Sequence, residues 1–142
     1  MLLPALSGAF GDHPAAVEVA GEQRSWEALS AEAGEWAAAM AGLSAVAVDA
    51  APNLHTVIAV VAALQAGVPI VPIPPDAGPV ERAHILNDSA AEAMVGAHRW
   101  SDVSLPVLSP VRGGSAPSEP NPNSVGIIMY TSGTTGAPKG VL

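Results

Sequence analysis

Cysteine is absent from the 142 residues, so neither a disulfide framework nor a thiolate metal site can be built. Cations are scarce: 5 Lys and Arg stand against 13 Asp and Glu, for a net charge of −8. A nucleic-acid surface needs clustered cations to displace counterions from phosphates, and no basic run occurs, so no nucleic-acid partner is expected. Aromatic residues make up only 4%, which leaves Ala, Val, Leu and Ile to fill any core. The opening Met1-Leu2-Leu3-Pro4-Ala5-Leu6 carries no cation and is broken by Pro4 and Gly8, so it does not read as a signal peptide. The longest apolar stretch, 57–64, is far too short to span a bilayer, so no membrane partner is expected. A soluble cytoplasmic protein is the resulting expectation.

What is present is a globular composition, 49% hydrophobic and 13% charged, in a length sufficient for one modest domain with a real core. The surplus of acid repels anions at long range, so an anionic ligand has to be held by local geometry.

Residues 2–10 start as a short helix, and 15–19 followed by Gly21-Glu22 suggests a small hairpin closing near Arg24. Ser25 stands as an N-cap with Glu27 in the first turn, and Trp26, Leu29, Ala33, Trp36, Ala37 and Met40 keep helical spacing up to Gly42. Residues 44–50 read as a strand. Asn53 caps a second helix that ends at Gly67, and 68–73 is a buried strand bounded by prolines. A third helix over 79–89 and a short strand over 93–95 complete a strand–helix alternation, which implies α/β architecture with a parallel sheet and flanking helices. Residues 109–123 shift to Pro, Gly, Ser and Asn and read as an exposed flexible connection. After it, 125–130 form another apolar strand, and with the residues stopping at Leu142 the sheet is expected to be unfinished and its last strand unpaired. The chain thus divides into a βαβ-type subregion (1–108), the connection (109–123), and a strand with its following loop (124–142).

That loop is Thr131-Ser132-Gly133-Thr134-Thr135-Gly136-Ala137-Pro138-Lys139-Gly140. Glycine allows backbone N–H groups to turn inward as a nest for phosphate oxygens, hydroxyls add reorientable donors or ligate magnesium, and Lys139 supplies a point charge. It is not a Walker loop, because Lys139 follows Pro138 and 140–142 read as a strand start instead of a helix. The bland alternative is a Ser/Thr/Gly-rich surface loop, which the order of residues after a buried strand disfavours. His84, beside Ile85 and Leu86 on a helix, reads as a surface or internally satisfied histidine and not as a catalyst.

Residues 130–140 resemble the phosphate-loop motif of the adenylate-forming superfamily, which includes acyl-CoA synthetases, luciferases and peptide-synthetase adenylation domains. Ser25-Trp26-Glu27-Ala28-Leu29 and the segment 64–73 are similar to two further family segments, and 60–67 with 83–89 most resemble bacterial malonyl-CoA synthetase-like members. The resemblance implies an incomplete N-terminal part of the large AMP-binding domain, continuing past Leu142. It implies an AMP-forming acid–thiol ligase that joins a small carboxylic acid to coenzyme A through acyl-AMP, using ATP and Mg2+. By the same resemblance Thr131, Ser132, Gly133, Thr134, Thr135, Gly136 and Lys139 hold the β- and γ-phosphates, and Thr131 also touches the metal. The family's adenine pocket, metal-binding Glu, ribose-binding Asp and catalytic Lys lie downstream, and nothing here matches them. The coenzyme A site is expected outside these residues, and the 142-residue piece alone is expected to be inactive. The alternatives are an amino-acid or aryl-acid adenylation domain feeding a carrier protein, and a non-catalytic remnant.

Overall fold

A computed structural model describes residues 3–131 and 136–142. Pro4–Ser7 form a single 3-10 turn where a short helix over 2–10 was expected. Proline can open such a turn but Gly8, at φ 81°, ends it at once. Strands β1 (Val17–Val19) and β2 (Glu22–Arg24) pair antiparallel. Their two-residue connection, Ala20 and Gly21, has φ of 52° and 82°, the sense that matches strand twist.

Helix α1 (Trp26–Met40) is capped by Ser25, whose side chain accepts from the Ala28 amide at 3.1 Å. Asn53 does the same for α2 (Leu54–Ala66) through the Thr56 amide at 3.0 Å, and Gly67 closes that helix in the left-handed region. Between them runs β3 (Val46–Asp49), followed after α2 by β4 (Ile70–Ile73), α3 (Pro79–Ser89), β5 (Ala93–Val95) and β6 (Val107–Leu108). The sheet order is β4-β3-β5-β6, with every pair parallel. Both faces are covered. Val46 and Val48 pack among Leu29, Met40, Leu54 and Ile58 of α1 and α2, while Ala45 and Ala47 face Val71, Ile85 and Met94 on the α3 side. Burial of both faces explains why β3 lacks an exposed polar side.

Helix α3 is anchored by Arg82. This buried guanidinium donates to the Ala77 carbonyl, forms a two-pronged contact with Asp102 and lies 5.1 Å from the Trp100 ring centroid. The guanidinium hydrogen bonds hold the Asp102 carboxyl below its usual pKa.

Two differences from the sequence expectation concern pairing. Strand β6 was not anticipated, since two residues after Pro106 carry no periodicity and become a strand only by pairing with β5. The expected strand over 125–130 is divided. Ile127 bridges Ile70 in parallel, with the Ile70 amide donating to Gly126 O and the Ile128 amide to Ile70 O. Beyond it β7 (Met129–Thr131) pairs antiparallel with β8 (Lys139–Val141). The last strand, expected to lack a partner, is therefore β8, paired with β7 in a hairpin. Residues 109–123 contain no helix or strand and lie against α1, where Glu35 accepts from the amides of Val111 and Gly113.

Candidate functional site

The glycine- and hydroxyl-rich segment joins the two strands of the β7–β8 hairpin. Because 126–128 run parallel to β4, the hairpin is carried toward the C-terminal end of that strand. Open α/β sheets place ligands at that edge.

Alternation gives the hairpin two faces. Tyr130 and Gly140 are paired on one, whereas Thr131 and Lys139, also paired, belong to the other together with Met129 and Val141. A Cβ on Gly140 would lie 3.2 Å from Tyr130 Cζ and 3.3 Å from its Oη. Glycine there lets the Tyr130 ring lie across the hairpin and reach α3. The Tyr130 hydroxyl donates to Asp88 Oδ2 at 2.7 Å. Burial, with the Asp88 hydrogen bond, pushes the phenol pKa up to about 12, so it remains a donor through the physiological range. One helical turn earlier, His84 Nε2 lies 2.6 Å from the Pro138 carbonyl. A carbonyl only accepts, so Nε2 carries the proton. The His84 and Tyr130 rings meet edge to face, 6.1 Å between centroids and 89° between planes.

Of the residues expected to bind phosphate, Thr131 and Lys139 stand opposite one another, both exposed. Gly136 has φ 104°, and among the described residues nothing lies within 4 Å of where a Cβ would stand. Ser132, Gly133, Thr134 and Thr135 lie outside the described residues. Residues 124–142 contain Lys139 and no Asp or Glu, a local reversal of the chain's negative charge that suits an anion. Among the described residues no group of three His, Asp or Glu could hold a metal ion.

The two residues that dock the hairpin, His84 and Asp88, were not identified from sequence as part of this site. Their signal is weak: an i, i+4 pair shares a helix face, but nothing local says what covers that face. The expectation of a satisfied histidine at His84 agrees with its Pro138 bond. A groove of about 330 Å3 lies elsewhere, between Leu3, Leu6, Gln65 and 116–120, and contains none of the motif.

Residues 6–142 match the family of AMP-binding enzymes, and the chain belongs to it. Tyrocidine synthase 3 of Brevibacillus parabrevis is 34% identical over 143 residues, covering 89% of this chain and 2% of that protein. Isonitrile lipopeptide synthase of Mycobacterium tuberculosis is 36% identical over 94 residues, covering 60% of this chain and 4% of the relative. Among solved structures, a malonyl-CoA ligase in a ternary product complex with methylmalonyl-CoA and AMP is 36% identical with a TM-score of 0.82. That match covers 98% of this chain and 32% of the ligase, so the chain spans about a third of it. VinN, at 20% identity and a TM-score of 0.76, shares the fold. Among the described residues no helix is long and apolar enough to cross a membrane.

Proposed function

We propose that this chain forms the phosphate-binding wall of an ATP-dependent ligase that activates a small carboxylic acid and transfers it to coenzyme A. The observation that supports this most is the acid-free hairpin at the sheet's C-terminal edge, in a chain 36% identical to a malonyl-CoA ligase. In the first half-reaction a carboxylate oxygen attacks the α-phosphorus of ATP, the bond to the bridging oxygen breaks, and pyrophosphate leaves acyl-AMP behind. In the second, a thiol sulfur attacks the acyl carbon and AMP departs. Thr131, Ser132, Gly133, Thr134, Thr135, Gly136 and Lys139 hold the β- and γ-phosphates, so their contribution is positioning and charge neutralisation. The Thr131 hydroxyl would also touch a magnesium ion carried by ATP, which when bound would further neutralise the phosphates.

A second reading, an adenylation domain that loads a carrier protein, is favoured by the similarity to tyrocidine synthase 3. Pyrophosphate exchange into ATP, measured with the full polypeptide that carries these residues, separates the two. Exchange with malonate or methylmalonate, followed by formation of the coenzyme A thioester, supports the ligase. Exchange confined to amino acids, with no thioester to coenzyme A, supports the adenylation domain. Replacing both Thr134 and Thr135 with Val is expected to weaken exchange strongly, and undiminished exchange would overturn the assignment of the loop.

A further inference from the structure

The face of α3 formed by His84 and Asp88 touches the hairpin at two points, one on each strand side. Tyr130, bonded to Asp88, immediately precedes Thr131. Pro138, whose carbonyl is bonded to His84, immediately precedes Lys139. Both contacts are therefore one residue from the exposed pair Thr131 and Lys139, and on the strand bearing Tyr130 alternation directs the neighbouring Thr131 to the opposite face. The helix offering these contacts is itself held by Arg82 to Ala77, Asp102 and Trp100. Helix α3 is thus tied down on one side and presents two polar groups on another.

We infer that His84 and Asp88 are positioning residues that clamp the hairpin against α3 and so set the placement of Thr131 and Lys139 for the phosphates of ATP. The phosphate-binding part rests on the function proposed above, whereas the clamp itself rests only on the contacts with Tyr130 and Pro138. Each contact has a defined polarity. Asp88 must offer an acceptor to the phenol, and His84 must offer a donor to the carbonyl. Conservative exchanges can keep those polarities: Asp88→Asn retains an acceptor oxygen, and His84→Gln retains an N–H donor. Asp88→Ala and His84→Ala remove them.

The test uses the full polypeptide carrying these residues, with MgATP and malonate. The Ala variants are expected to raise KM for ATP about tenfold and to leave KM for malonate within about twofold, the split expected of misplaced phosphate contacts. Asp88→Asn and His84→Gln are expected to bring KM for ATP back to within about twofold of the parent. Equal KM for ATP in parent and Ala variants overturns the inference, as do Asn and Gln variants as impaired as the Ala ones. Amide hydrogen exchange over 136–141 gives an arm independent of catalysis, with exchange about tenfold faster in the Ala variants. If the parent shows no pyrophosphate exchange, the functional reading falls while faster amide exchange still supports the clamp. Unchanged amide exchange overturns the clamp.

Discussion

Val46 and Val48 on β3 are sealed between layers, whereas Met129 and Val141 on the hairpin are each 52% exposed. The β3 region is held by apolar area removed from water, a force without direction that tolerates small shifts in any one contact. Among the described residues the hairpin is joined to the rest by a parallel bridge at the preceding Ile127, by packing of the half-buried Tyr130 on the α3-side core, and by polar contacts of Tyr130 and Pro138 to α3. Such bonds weaken steeply with distance and angle, so they fix an orientation even though each adds only modest stability. A core held by burial and a loop-bearing hairpin held in part by directed bonds should therefore respond differently to substitution.

The largest expected effect is on the core. Leu29→Ala, at a site 2% exposed, should cost about 3 kcal/mol, read as a lowered urea midpoint. The interface between the two regions comes next. Arg82→Leu leaves the Ala77 carbonyl and Asp102 without their donor, and a loss of about 2 kcal/mol is expected, moderated because Asp102 is partly solvated. Amide exchange across the hairpin should rise in the same variant, because α3 carries the clamp. An unmoved hairpin would show that it does not depend on the placement of α3.

Lys139→Ala reverses the pattern. Pyrophosphate exchange into ATP should fall at least tenfold, about 1.4 kcal/mol of transition-state stabilisation, while the urea midpoint shifts by less than about 0.5 kcal/mol because the side chain is exposed. The smallest effect is expected from pH. Tyr130 holds its proton up to about 12 in the folded chain, against about 10 when unfolded. Its contribution to stability is complete below pH 10 and disappears as pH rises through 12, because the unfolded chain releases the proton first. Tyr130→Phe should flatten the alkaline fall in stability over that window in thermal melts. An identical slope in both proteins would remove the phenol as its cause.

Legibility in the sequence followed the range of each interaction. Ser25, Asn53 and Gly67 act on amides or carbonyls within four residues, and the helices they bound were recognisable from spacing alone. The run of hydroxyls, glycines and Lys139 behind apolar residues was equally visible, and its resemblance to a phosphate loop is what the proposed function rests on. By contrast, the contact of Tyr130 with Asp88 joins positions 42 apart, and that of Pro138 with His84 joins positions 54 apart. Val107 and Leu108 gave no periodic signal because two residues are too few to show one.

The sequence by itself determined the α/β class and the limits of α1, α2 and α3, since backbone preference and burial periodicity are local properties. Only the tertiary structure decided that the hairpin rests on α3 and that His84 and Asp88 bond to it. Those contacts arise when packing of the sheet and helices brings distant segments to hydrogen-bonding distance, and no local pattern encodes which donor meets which acceptor.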